Sequence, residues 1–312
     1  MKTAVLGAVL AAVVGMAGCA VETGEDDDLI GDSSDAVTNG RCAGTTGTKT
    51  ANLKVMTVNL RHDVDSWQRR FELIADEIVR LDPDVIGAQE VEFFLRDNQA
   101  EKLNDLIAKR GHAKYNLYAK RKSGVAGFFT GEGIAIMSRW KITEKEHEDI
   151  GEKRVSIRAR IQHPNGPIDM LDTHLEAGGG ERGAEIRDDQ ARQTIDLADR
   201  DDDCHPTFLT GDMNAKEDSA ALKRFFAAGF VDSFKKVHGA QTSKVGNTSS
   251  VKLAEGAFEQ NPKNRIDFVL ARGAGGRTIE PIDSVVCFKN HDAKGFYPSD
   301  HFGVMTTFRV KL

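Results

Sequence analysis

Three features of the sequence predict an α/β fold. Apolar, β-branched runs that read as strands alternate with stretches of helical periodicity. The first set, a strand at 52–58, a helix at 67–81 and a strand at 85–88, has the length of a βαβ crossover, which places the ends of its two strands at one edge of a sheet. Several strand-like runs also end in acids, amides or histidines, side chains that α/β proteins gather beyond the carboxyl ends of their strands. The 312 residues suffice for one large domain or two smaller ones.

The chain opens on a stretch outside that pattern. Lys2 is the only charge in residues 1–18, an apolar run covers Ala4 to Val14, and small residues lead into Cys19. This is the pattern of a secretory signal, and the run is shorter than the roughly 20 residues a membrane span needs. Met16-Ala17-Gly18-Cys19 resembles a bacterial lipoprotein processing site, which implies an exported protein attached to the membrane through a lipidated Cys19. Met stands where Leu is usual, so cleavage and free secretion stay open. Residues 19–50 carry seven acids among Gly, Ser and Thr with little to bury, and read as a disordered tether, which leaves 51–312 as the folded domain. Of 42 basic and 48 acidic residues, three and seven lie in the first fifty; the remaining 39 and 41 give a net charge of −2. A near-neutral domain does not advertise tight nonspecific binding to polyanions. Cys42, Cys204 and Cys287 match no zinc spacing; one disulfide is expected, Cys204 with Cys287 or either with Cys42, with one thiol left over.

The first strand runs out at Asn59, followed by Arg61, His62 and Asp63. Trp67, Phe71, Ile74, Ile78 and Leu81 recur at helical spacing, with Asp65 or Ser66 placed to cap. Asp82-Pro83 stops that helix, the next strand ends in Gln89-Glu90, and a helix covers 98–109. The basic, glycine-rich segment from Lys120, Arg121 and Lys122 to Gly131, tipped by Phe128-Phe129, reads as a loop suited to substrate contact. Strands follow at 133–138, 155–161 and 168–172, the last running out at Thr173-His174, and a helix built on Arg187, Gln190, Ala191, Ile195 and Ala198 comes next. Residues 206–211 form a short buried strand that presents Asp212 and Asn214 at i and i+2, oxygen donors suited to a hard cation and a phosphoryl group. A strand at 265–270 holds Asp267, and Ser299-Asp300-His301 precedes the final strand, 302–310.

Asn59, Gln89-Glu90, Thr173-His174, Gly211-Asp212-Met213-Asn214, Arg265-Ile266-Asp267 and Ser299-Asp300-His301 occur in an order and spacing that resemble the endonuclease/exonuclease/phosphatase superfamily, the fold of pancreatic deoxyribonuclease. The resemblance covers about residues 52–312. It implies a four-layer α/β/β/α sandwich of two packed mixed sheets, and metal-dependent hydrolysis of phosphoesters. By that resemblance Glu90, Asn59, Asp300 and Asp212 hold Mg2+, with Mn2+ as the alternative, and oxygen donors without thiolates suit such an ion. His301 takes a proton from water and is oriented by Asp267; His174 acts as general acid or transition-state donor; Asp212 and Asn214 bind the phosphoryl group and nucleophile. Taken singly, Asp267 also reads as an ion-pair partner of Arg265, and His301 as a core histidine. Asn59, Arg61, Lys120 and Arg121 are the expected substrate contacts. A monomeric, nuclease-like phosphodiesterase ranks first. A sphingomyelinase or phospholipid phosphodiesterase, or an inositol-phosphate phosphatase, is the alternative; a phospholipid enzyme would use the hairpin at Gly124–Phe129 to enter lipid. An inactive binding lipoprotein on the same fold is the third reading, opposed by the intact acids and histidine.

Overall fold

Side chains along the strand Thr50–Asn59 (β1) alternate between two apolar environments, which is why the chain builds layers on both of its faces. The computed structural model describes residues 42, 44–123, 131–201 and 204–312. The expected leader, Cys19, most of the tether and the tip Phe128-Phe129 lie outside the described residues. Two six-stranded sheets are present. The first runs in the order β11 (Thr278–Cys287), β12 (Gly303–Lys311), β1, β2 (Val85–Phe93), β4 (Gly131–Ser138), β3 (Asn116–Arg121). The second runs β5 (Ile142–Asp149), β6 (Val155–Ile161), β7 (Ile168–His174), β8 (Thr207–Asp212), β10 (Asp267–Arg272), β9 (Val231–Asp232).

Leu53, Val55, Ile134 and Ile136 of the first sheet meet Ile157, Met170, Phe208 and Val269 of the second in one buried cluster, so the sheets pack face to face. The opposite face of the first sheet, with Met56, Val58 and Ile86, is covered by α1 (Trp67–Leu81) and α2 (Gln99–Lys109) through Phe71, Ile74, Ile78, Leu103 and Ile107. Leu171, Leu209 and Phe268 of the second sheet are covered by α3 (Gly180–Ala198) and α4 (Ala220–Ala227) through Ala191, Leu197, Leu222 and Phe225. This is the expected four-layer sandwich. β1 and β2 are parallel, with Asn59 paired to Gln89, as the crossover requires.

Several local expectations change. Ser66 occupies the cap of α1, but in the left-handed region (φ 55°) and without a side-chain cap bond; Asp65 instead accepts from Arg61 Nε at 2.6 Å. β3, β5, β9 and β11 are additional strands, and β3 takes in Lys120 and Arg121, which were expected in a loop. β5 is charged along its length and β11 contains Pro281, the marks of sheet edges rather than of central strands. Residues 47–49, expected in the tether, are bonded to the folded domain: Thr48 and Lys49 both donate backbone hydrogen bonds to Leu312 O (2.9 and 3.0 Å), and Gly47 donates to Gly276 O at 3.3 Å. The disulfide joins Cys42 to Cys204, and Cys287 is free and buried.

Candidate active site

The inner faces of the two sheets change character toward one end. Below lie the aliphatic residues of the inter-sheet cluster; above them Thr57, Gln89, Asp172 and Thr210 form a buried polar layer. Gln89 Nε2 donates to Asp172 Oδ1 at 2.6 Å, Thr210 Oγ1 donates to the same oxygen at 2.8 Å, and Thr57 Oγ1 donates to Gln89 Oε1 at 3.3 Å. Burial pushes the Asp172 carboxyl well above the usual carboxylate range. The sheets approach closely here: a Cβ on Gly87 would lie 1.9 Å from Thr210 Oγ1 and 2.4 Å from Asp172 Oδ1.

One step further along the strands the row becomes catalytic in type. Strand register places His174 of β7 beside Asp212 of β8, and Asp212 beside Asp267 of β10. From the facing sheet, Asn59 Nδ2 donates to Glu90 Oε1 at 2.9 Å and to Asp212 Oδ2 at 3.3 Å. Glu90 is not the last residue of its strand, as expected, but sits at a bulge: register shifts between Ala88 and Val91, and Glu90 has φ 52°. Such an extra residue re-aims a side chain at a sheet rim.

Both histidines are gripped by acids. His301 Nδ1 lies 3.0 Å from Asp267 Oδ2 and 3.6 Å from Asp212 Oδ2. Burial disfavours its charge, but Asp267, Asp212 and Asp300 outweigh burial and hold its pKa up to about 10. His174 Nε2 lies 3.6 Å from Asp212 Oδ2, and its Nδ1 lies 3.6 Å from Glu132 Oε1, an ion-pair separation rather than a hydrogen bond. Burial works against the Glu132 charge, yet His174 and Lys122, whose Nζ contacts Oε1, hold its pKa down to about 2.

Glu90, His174 and Asp212 bring ligand atoms within 4.8 Å of one another, and so do Asp212, Asp267 and His301; the two groups share Asp212. An oxygen-rich donor set with two imidazoles and no thiolate fits a hard divalent cation. Asp300 lies outside both groups: Oδ2 is bonded to Arg61 Nη1, and burial raises its carboxyl against the pull of His301 and Arg61. Asn214 is at the site, with its backbone N–H on Asp212 Oδ1 (2.9 Å), but its side-chain Nδ2 is engaged by Leu175 O at 3.1 Å. Arg265 pairs with Asp232 and Glu217, which frees Asp267 for His301.

The basic segment divides. Leu117 and Ala119 pack on the helix side of β3 and Tyr118 on the inter-sheet side, so alternation sends Arg121 to the helix side, away from the site, and Lys120 to the inner face. Arg121 is therefore not brought to the site as expected. Residues that the sequence did not assign to the site are Glu132, Asp172 and Arg70; Lys122, expected in the substrate loop, pairs instead with Glu132, and His62, which follows the first strand, places Nε2 3.9 Å from Glu90 Oε2. Glu132 carried a signal, since it shares parity with the inward-facing Ile134 and Ile136.

A family model described as "Endonuclease/Exonuclease/phosphatase family" matches residues 56–301. Among solved structures the chain is similar to an endonuclease/exonuclease/phosphatase family protein from Leptotrichia buccalis (20% identity, TM-score 0.62, covering 82% of this chain and 99% of that one). It is similar also to D. rerio TDP2 complexed with a single-strand DNA product (19%, TM-score 0.63, 83% and 99%) and to a mannosyl-6-phosphatase from Bacteroides thetaiotaomicron (20%, TM-score 0.62, 82% and 99%). At these identities the likeness is one of fold. No curated protein matches the sequence.

Proposed function

We propose, from the premise that this chain belongs to the endonuclease/exonuclease/phosphatase family of metal-dependent phosphoester hydrolases, that it is an exported Mg2+-dependent phosphodiesterase acting on nucleic-acid strands. The observation that carries the reading is the pair of histidine–carboxylate couples, His301–Asp267 and His174–Glu132, set on either side of Asp212 next to Glu90. Cleaving a diester needs one proton removed from water and another given to the departing oxygen, so two positioned imidazoles match two transfers.

Glu90 and Asp212, steadied by Asn59, would hold the cation, with Asp267 as a neighbouring carboxylate. When bound, the cation would neutralise charge on the phosphoryl oxygens, make the attacking water more acidic and weaken the carboxylate field that keeps His301 protonated. Asp267 holds the Nδ1 side of His301, which assigns proton transfer to Nε2. His174, buried against Glu132, is placed to serve as the donor to the leaving oxygen. Export rests on the leader-like residues 1–18, with attachment through Cys19 as the lipoprotein variant.

A small phosphoester is the second reading, favoured by one observation: Lys122 and Arg154 near the site are already paired with Glu132 and Glu176, and the domain carries no net positive charge to track a polyanion. Purified protein offered single-stranded DNA, RNA, sphingomyelin, inositol phosphates, a sugar phosphate and an aryl phosphodiester, each with Mg2+ or a chelator, tests both. Cleavage of the nucleic acids that ceases on chelation supports the first reading. Turnover of the sugar phosphate alone selects the second, and activity that survives chelation refutes the metal role.

A further inference from the structure

Arg70, in the first turn of α1, has no exposed surface, yet its hydrogen-bond partners are all neutral carbonyl oxygens. Nη1 donates to Leu60 O (2.6 Å) and Pro298 O (3.2 Å), Nη2 to Arg61 O (2.9 Å), His62 O (3.0 Å) and Val64 O (2.9 Å), and Nε to Asp65 O (3.3 Å). Six carbonyls in two separate loops converge on one guanidinium. Five belong to the loop after β1, where Arg61, His62, Asp65 and Ser66 all take left-handed φ values (52°, 26°, 51° and 55°) without being glycine. Backbone held in such a region persists only where its surroundings over-determine it, and the carbonyl bonds do so here. The sixth belongs to the turn that carries Ser299, Asp300 and His301.

Both loops deliver groups to the candidate site. Arg61 N donates to Asn59 Oδ1 (2.8 Å) and its guanidinium grips Asp300; His62 N donates to Glu90 O (2.9 Å) and its ring stands 3.9 Å from Glu90 Oε2. Ser299 Oγ donates to Asn59 O at 2.7 Å, so the turn also touches the end of β1 from which the 60–66 loop leaves. We infer that Arg70 is a positioning residue: it locks the 60–66 loop to the 298–301 turn, and so sets Glu90, Asn59 and Asp300 in register with His301. A planar, five-donor fork suits the task, whereas lysine has three donors on one point charge and cannot reach six carbonyls in two loops. Burial weakens the guanidinium's hold on its proton, bringing its pKa down to about 10, which still leaves it charged at neutral pH.

The catalytic part of this inference rests on the proposed function; the structural part does not, and the test separates them. Arg70→Lys and Arg70→Met are prepared in the full chain and compared with wild type by amide hydrogen exchange. Exchange in 60–66 and 298–301 is expected to rise together by about tenfold or more in both variants, with the body of α1 and the sheets unchanged. Should Arg70→Met not fold, Arg70→Lys, which keeps charge and bulk, decides. On a phosphodiester that wild type cleaves, kcat is expected to fall about tenfold to a hundredfold with KM little changed, the signature of misplaced groups. In a third variant, Arg70→Ala, millimolar ethylguanidinium should restore part of the lost kcat, and it should restore none in Arg70→Lys. Wild-type exchange in either loop of Arg70→Lys, or exchange raised uniformly through the protein, overturns the inference. If wild type cleaves no phosphoester, the functional reading fails while the exchange result still decides the role of Arg70.

Discussion

Asp212 touches both histidines and Asn59 while remaining almost wholly buried, so chemistry at this site is concentrated in a few atoms. Removing Glu90 or His301 as alanine is expected to cut turnover by about a hundredfold to ten-thousandfold, with circular dichroism close to wild type. A fall smaller than tenfold would move either residue to a structural role. The electrostatics of His301 make a second prediction. Its folded pKa, raised from 6.5 to about 10, means that in metal-free protein its pairing with Asp267 stabilises the fold fully below about pH 6.5 and is lost as pH rises through about 10. The stability gap between wild type and His301→Gln, measured by urea melts in chelator, should therefore be widest in mild acid and close toward pH 10. A gap that widens with pH would contradict that assignment.

At the scale of the element, β2 carries two constraints that work against each other. Gly87 lets the sheets close on the Thr210–Asp172 hydrogen bond, and the bulge at Glu90 then lifts the next carboxylate into the site. Gly87→Ala should destabilise the protein by about 1–3 kcal/mol, read by chemical denaturation, because a methyl group would displace both oxygens. β1, α1, β2, β7, β8 and β12 were legible in the sequence because their apolar periodicity matches their burial, and because the apolar runs break off at Asn59, Gln89-Glu90, His174 and Asp212 or begin after His301, polar residues that have no reason to be buried alone. β5 and β11 were not, since edge strands show charge on the faces where periodicity looks for apolar residues. The role of Arg70 was not legible. Its partners are backbone carbonyls, which leave no trace in the side-chain pattern.

For the molecule as a whole, the Cys42–Cys204 bond spans 162 residues and ties the segment before β1 to the approach of β8. Opening it in Cys42→Ser is expected to lower unfolding stability by about 2–5 kcal/mol, seen as a drop in Tm that reductant reproduces in wild type, with turnover per folded molecule unchanged. A Cys42→Ser protein that melts like wild type would show the bond to be dispensable. Leu312 meets Thr48 and Lys49 at the end of β1 far from Asn59. Strand rise sets roughly 30 Å between that end and Asn59. A bead or surface coupled through an added tail after Leu312 would therefore leave the mouth turned to solution, where a long polymer could thread past without meeting the support.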